Sequence, residues 1–470
     1  MVKRLALLLV IVLLVASSVH TTFLVRAEGK TIIVPDDYPT WYLAIENAKD
    51  GDTVLIKNGT YESPTNQTLV INKSITLQGE NPENTTINLN PPLVPMSIFT
   101  FTYMGYAEPL KIQANNVKIT GLTLKTPGGP ILVESQSIEI TNNIINTKLS
   151  VNGKYIKISN NTLNTPFQYS VVLSGSHQGI LNNTLNGIHS RATYSIIAGN
   201  TITNSGVDGL VRIEATSNII YDNYINADGW PGITLRLDVD EVIIAKNIIE
   251  NSGLYIQNAS NSIISGNIIK NDMGITVDMG ENNVFLGNQL ENNTCGIRLG
   301  YDQTDIAREC SGSNTVNNTV FHNNFINNNQ QAQDWNWLNT NQWSNNKEGN
   351  YWSDYTGHDW NFDGIGDSPY RLAEAVSYYA ETTQGTDHYP LMTPFDIKSI
   401  TIELPKWATN ILENTNTSDN KPEEPATIFP MTLIIIVLTV ACMIIVVLLV
   451  YFVKKNKINS ENINYKRKSV

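Results

Sequence analysis

Between about residue 110 and residue 330, one short pattern of apolar and polar positions recurs: I-x-x-N-x-I-x-N. It reads in turn "ITGLTL", "ITNNIIN", "ISNNTLN", "ILNNTLN", "IAGNTITN", "IYDNYIN", "IAKNIIEN", "ISGNIIKN", "FLGNQLEN" and "FHNNFINN". Its second polar position falls at Gly121, Asn143, Asn161, Asn183, Asn200, Asn223, Asn247, Asn267, Asn288 and Asn324, and every interval but the last is 17 to 24 residues. A unit of about 22 residues is too short for a helical-hairpin repeat, and apolar residues alternating in short runs describe strands. Asn and Gly tolerate left-handed backbone, so each unit bends two or three times and returns one strand spacing, about 4.8 Å, along an axis. The pattern predicts an all-β fold, a right-handed parallel β-helix of about ten or more coils. Ile and Leu stack inward, and Asn stacks into a side-chain ladder that satisfies turn backbone.

The flanks predict caps. In "TIIVPDDYPTWYLAIENAKDGDTVLI", Thr40 is placed to cap a short helix whose Trp41, Ile45 and Ala48 plug the open end of the coil. After the last coil, Trp335, Trp337, Trp343, Tyr351, Trp352, Tyr355 and Trp360 gather as a cap for the other end. The long interval before Asn324 holds an inserted loop bracketed by Cys295 and Cys310, a candidate disulfide in an oxidising compartment.

Both ends bear on location. Residues 1–27 carry Lys3 and Arg4, an apolar run and a small-residue cleavage pattern, as a signal peptide does. Residues 431–453 are uncharged and long enough to cross a membrane as one C-terminal transmembrane helix, and the basic tail 454–470 places its own side in the cytoplasm. The organisation expected between them is an N-terminal cap and first coils over 28–109, repeats over 110–330, an aromatic cap over 331–396 and a stalk over 397–430. The net charge of −12 hides an acidic exterior, because three positive charges lie in the signal segment and a net five in the tail. Nucleic acid is therefore excluded as a partner, leaving extracellular glycans, envelope proteins and the membrane itself. Sequons such as Asn160, Asn182, Asn292 and Asn317 are candidate glycosylation sites, in a chain where Asn and Thr are common enough to form them by chance.

Two groups carry candidate chemistry. A strand following the Asn turn, "GLVRIEA", "GITLRLDVD", "GLYIQN", "GITVDMG" and "GIRLGYD", sends alternate residues outward: Arg212, Glu214, Arg236, Asp238, Tyr255, Gln257, Asp278 and Arg298. Asp208, Asp228, Trp230 and Tyr301 lie nearby in sequence. Planar polar groups and rings at one coil spacing suit a sugar chain, and a solvated charge ladder in which Arg212 pairs with Glu214 or Asp238 is the alternative. In "DWNFDGIGD", Asp359, Asn361, Asp363 and Asp367 place side-chain oxygens, and Ile365 a carbonyl, at the spacing of a calcium loop closed around Gly364. Position twelve is Tyr370 instead of Glu, so the match to an EF-hand loop is partial. Hard oxygen ligands favour Ca2+, in a structural role, over zinc or copper.

The lead-in "VPDDYPTWYLAIENAKDGDTVLIKNGTY", the step "NKSITLQGEN", the Asn-rich coils and "GNYWSDYTGHDWNFDGIGDSPY" together resemble the NosD-like family of parallel β-helix proteins, also called pectate-lyase-like or carbohydrate-binding and sugar-hydrolysis repeat proteins. The resemblance spans roughly residues 30 to 396. It implies a solenoid carrying carbohydrate binding or a polysaccharide lyase, hydrolase or epimerase activity, or a role in copper supply to an enzyme. His177, His189, His322, His358 and His388 form no evident soft-ligand cluster with Cys or Met, so the ligand pattern does not support copper. A surface scaffold or glycan-recognition protein without catalysis is the reading the sequence favours. A polysaccharide-active enzyme is the alternative, and a copper-enzyme accessory protein the third.

Overall fold

The computed structural model describes residues 29–98, 101–166, 168–204, 209–229, 231–300, 315–336, 340–376 and 382–413. The expected signal segment, transmembrane span, tail and Cys310 lie outside these residues, and none of the described helices is long and apolar enough to cross a membrane.

The chain winds a parallel β-solenoid with three faces per coil. The strands Lys118–Thr120, Thr123–Lys125 and Ile131–Val133 show one coil in order, and define faces 1, 2 and 3. On face 2, thirteen strands stack in one parallel sheet. Its inward column runs in register through Ile87, Leu124, Ile145, Leu163, Leu185, Ile202, Ile225, Ile249, Ile269, Leu290, Phe325 and Trp352. Every member of that column is buried, and each coil depends on the coils above and below it to complete that burial. At one strand spacing per coil, the stack is about 60 Å long.

Asn makes the corners. Between faces 1 and 2, a residue in the left-handed region precedes the ladder position: Gly121, Asn142, Asn160, Asn182, Gly199, Asp222, Lys246, Gly266, Gly287 and His322. The ladder itself is Asn143, Asn161, Asn183, Asn200, Asn223, Asn247, Asn267, Asn288, Asn323 and Asn350. Each Oδ1 accepts from the amide and the side chain of the Asn one coil earlier, and the last donors, on Asn350, meet the buried carboxylate of Asp387. Two register expectations are corrected here. Gly121 occupies the left-handed slot and Leu122 the ladder position, while Asn323, not Asn324, continues the ladder. Shorter ladders line the other two corners: Asn283, Asn318 and Asn341 end on Asp334, and Asn293 and Asn328 lead through Gln331 to Asp354. The sequons at Asn160, Asn182, Asn292 and Asn317 follow from this grammar, a left-handed Asn, then a ladder Asn, then a Thr entering the next strand.

The two ends differ from expectation in detail. The helix Trp41–Asn47 buries Trp41, Ala44 and Ile45 over the first coil. Thr40 occupies the N-cap position, but its hydroxyl makes no capping bond and is buried without a partner among the described residues. An antiparallel hairpin, Leu93–Ile98 with Phe101–Tyr106, interrupts the early coils. At the far end, Phe325, Trp352 and Tyr370 stack at 4.2 Å centroid spacing, with Trp343 alongside. Trp352 and Trp343 donate their indole N–H groups to Asp387 and Asp334. Trp360, expected in this cap, is 75% exposed beyond it, because the Asp-rich loop projects from the cap instead of closing it.

The compact unit runs to Glu413, past the boundary expected at residue 396. Residues 395–413 turn back along face 1 as a strap. Asn324 clamps its start, accepting from the Phe395 amide and donating to its carbonyl, and Phe395 stacks on His322 at 4.3 Å. Ile400 lies against Gly266 and Gly287. The helix Lys406–Glu413 packs Trp407, Ala408, Ile411 and Leu412 onto Leu181, Ile196, Ala198 and Ile219. The sheet prepares for this cover. The outward column of face 1 changes from Lys118, Glu139 and Lys157 to Ile196, Ile219, Ile243, Ile263 and Val284.

Candidate functional site

Face 3 presents the row expected from the alternation. Its outward positions align in register as His189, Arg212, Thr234, Tyr255, Thr276 and Arg298. Two residues further along each strand comes a second column that includes Arg191, Glu214, Arg236 and Gln257. The inward neighbours Val211, Ile213, Ile233, Leu235, Leu254, Ile256, Ile275 and Val277 are buried and hold these strands rigid.

Glu214 is the hub of one end. Its side chain is 1% exposed and receives Nε2 of His189 at 2.9 Å, Nε of Arg191 at 2.8 Å and Nε of Arg212 at 2.5 Å. Burial pushes this carboxyl up, but the hydrogen bonds from Arg191, His189 and Arg212 outweigh it and hold the group down at about 2. Tyr169 packs its ring against His189 at 5.3 Å. Of these, Arg212 and Glu214 follow from the alternation, and their pairing is one of the two the sequence offered, Asp238 being the other partner. His189 and Arg191 were missed, although "GIHSRAT" repeats one coil earlier the phrase that becomes "GLVRIEA".

Further along, the Tyr255 hydroxyl donates to Asp278, which is itself mostly buried. Arg236 stands beside Gln257. Asp238 does not join the row: a bulge between Arg236 and Val239 puts Leu237 and Asp238 in the left-handed region, and Asp238 turns aside to accept from the Asn258 side chain. Arg298 closes the row between Thr276 and Gln333. Cys295, three residues before it, carries a thiol pushed up to about 12 by burial. Its candidate partner Cys310, and Asp208, Trp230 and Tyr301, lie outside the described residues.

In the Asp-rich loop, Asp359 accepts from the amides of Asp363 and Gly364 at 3.2 and 2.8 Å. Asp363 accepts from the Ile365 amide and the Asn361 side chain, and Asp367 from the Trp360 amide. Gly364 adopts φ 86°, as the turn requires, and Phe362 at its tip is 90% exposed. These oxygens are drawn together by the backbone they cap. Among the described residues, no three His, Cys, Asp or Glu side chains close around one point.

Comparison with known proteins returned one family model and several solved structures. A family model described as NosD, periplasmic copper-binding protein, matches residues 227–357. No curated protein matches the chain. Among solved structures, the Dettilon tailspike protein aligns at 14% identity over 66% of this chain and 70% of its own, with a TM-score of 0.46. The catalytic domain of a GH87 alpha-1,3-glucanase in complex with tetrasaccharides aligns at 14% over 70% of each chain, with a TM-score of 0.46. A PL6 family polysaccharide lyase from Pseudopedobacter saltans aligns at 14% over 63% of this chain and 84% of its own, with a TM-score of 0.39. The chain is thus a parallel β-solenoid whose coils from residue 227 to residue 357 match the NosD family model.

Proposed function

We propose that this is an exported, membrane-tethered β-helix that recognises extracellular glycans through face 3 without transforming them. The observation that carries the reading is the pair of neighbouring outward columns on face 3, one holding Arg212, Tyr255 and Arg298 and the other Arg191 and Arg236. Guanidinium forks match hydroxyl and carboxylate oxygens, and the phenol ring offers a flat apolar surface. The state of Glu214 favours binding over catalysis: locked under three donors and held at about 2, it is no proton shuttle near neutrality. The Tyr255–Asp278 hydrogen bond favours the competing reading, a polysaccharide-active enzyme, because a phenol held on a carboxylate is a proton-transfer pair. The coil is right-handed in this reading, as crossovers between parallel strands are, and Ca2+ bound by the loop from Asp359 to Asp367 steadies the far cap.

The test is a glycan array probed with residues 29–413, with product analysis of every bound sugar. Replacing Arg212 and Arg236 together with Ala is expected to weaken binding tenfold or more while leaving the circular dichroism unchanged. Unchanged binding would move the site off face 3, and a cleaved or epimerised sugar would overturn the non-catalytic reading.

A further inference from the structure

At the corner between faces 3 and 1, most coils put a small or polar residue in the left-handed region: Ser137, Ser217, Glu241, Asn261, Asn282 and Asn317. Three consecutive coils place Tyr155, His177 and Tyr194 there, at φ 57°, 56° and 51°. A tyrosine in that region is an outlier that its surroundings must hold in place, and two of the three residues are tyrosines. These rings pack in a column, Tyr155 tilted against His177 at 5.3 Å and His177 stacked on Tyr194 at 5.2 Å. Trp407 of the strap stands edge-on to His177 and Tyr194, at 6.5 and 5.8 Å. The unusual corner therefore lies where the strap helix docks.

The imidazole in the middle of this stack has an incomplete environment. Its Nδ1 is buried with no hydrogen-bond partner among the described residues. The charged groups on the packed elements are Lys154 next to Tyr155, Arg191 on the strand leading to Tyr194, and Lys406 and Glu413 at the exposed ends of the strap helix. Burial, with repulsion from Lys154 added, holds His177 below the usual imidazole range. The other end of the strap is built differently: Phe395 stacks on His322, whose Nε2 lies 2.6 Å from Glu348, and Asn324 clamps the Phe395 backbone.

We propose that His177 makes the helix end of the strap an acid-released latch, in which the neutral ring holds Trp407 docked and protonation expels it. Release uncovers Leu181, Ile196, Ala198 and Ile219, while the Phe395 end stays in place. The sign follows from the docked ring being harder to protonate than the free one. Docking is at full strength above the free-ring value of 6.5 and weakens as pH falls below it, by at most about tenfold per pH unit.

Hydrogen–deuterium exchange of the full chain at pH 7.5 and pH 5.5, corrected for intrinsic exchange, reads the latch. The opening constant of peptides from residues 404–413 is expected to rise at pH 5.5, by at most about tenfold, that of residues 395–400 to stay constant, and His177→Phe to abolish the difference. No rise in the parent, an equal rise in His177→Phe, or opening of both ends together overturns the proposal. Should His177→Phe misfold, C2-hydrogen exchange of His177 in the parent gives its titration directly, and a midpoint at or above 6.5 overturns the latch equally.

Discussion

Replacing Glu214 with Gln tests the candidate site at its most constrained atom pair. The substitution keeps the shape, removes the charge and sets an NH2 group against cations that the carboxylate had neutralised. Arg212 and His189 are themselves largely buried, so they cannot exchange the lost partner for water at no cost. Holding the carboxyl at about 2 instead of 4.5 corresponds to about 3 kcal/mol of stabilisation. Because the folded value is depressed, this contribution is fully present above about 4.5, declines as pH falls, and is nearly gone at about 2. The assay is native-state hydrogen exchange of peptides spanning residues 188–214, in parent and variant, at pH 7 and at pH 3. The variant is expected to lose about 2 to 3 kcal/mol of opening free energy at pH 7 and markedly less at pH 3. A variant as protected as the parent at pH 7, or a gap of equal size at both pH values, would refute the view that Glu214 organises this end of the row.

Asn247→Ala removes the acceptor of the Asn223 amide and side chain and the side-chain donor to the Ile220 and Ala245 carbonyls, so it should cost about 3 kcal/mol, read as faster exchange confined to the flanking coils. A chain ended at residue 396 should expose the face 1 stripe and self-associate in analytical ultracentrifugation, whereas one ended at residue 413 should stay dispersed. Gly287→Ala, whose added methyl carbon would meet Ile400 at 2.8 Å in left-handed backbone, should loosen the strap by about 1 to 2 kcal/mol in the same exchange experiment. Calcium should raise the melting temperature of the parent relative to chelator and leave an Asp359→Ala, Asp363→Ala variant unmoved; equal melting of the parent in both conditions would reduce the loop to a metal-free turn.

The solenoid was legible because its period is written in one residue type with one task. An Asn that must meet the next Asn a coil away cannot drift, so spacing in sequence became spacing in space. The slip at Asn324 has the same origin, since "NN" offers two candidates and only burial against the Phe285 and Phe321 carbonyls selects Asn323. Outward residues of face 3 were legible from alternation at Arg212, Glu214, Arg236, Tyr255, Gln257 and Arg298. Asp238 was carried away by two consecutive left-handed residues, and Asp278, expected outward, is buried where the register shifts and Gln257 pairs with Met279. His189 and Arg191 were hidden because "GIHSRAT" was not aligned with the strands that follow it. The strap escaped for a different reason. Its own sequence is polar enough to pass for a linker, and the signal lay elsewhere, in "SIIAGN", "NIIYDN" and "VIIAKN", where adjacent apolar residues break the alternation of a sheet with one wet face. Those doubled positions announced a partner for face 1 about 200 residues before it arrives.

The three ladders all stop on carboxylates, at Asp387, Asp334 and Asp354. An amide both accepts and donates, so every Asn added to a ladder hands on the same requirement it satisfied, like a growing polymer end. A carboxylate only accepts, and it hands on nothing. Asp387 therefore acts as a chain terminator written in hydrogen-bond chemistry, and the length of the rod is set by where such a residue first appears in the ladder position. Coils can be gained or lost upstream without disturbing it, since each removal rejoins one Asn to another. Asp387→Asn would not merely weaken the cap. It would leave a live end, a buried NH2 with no next coil to receive it.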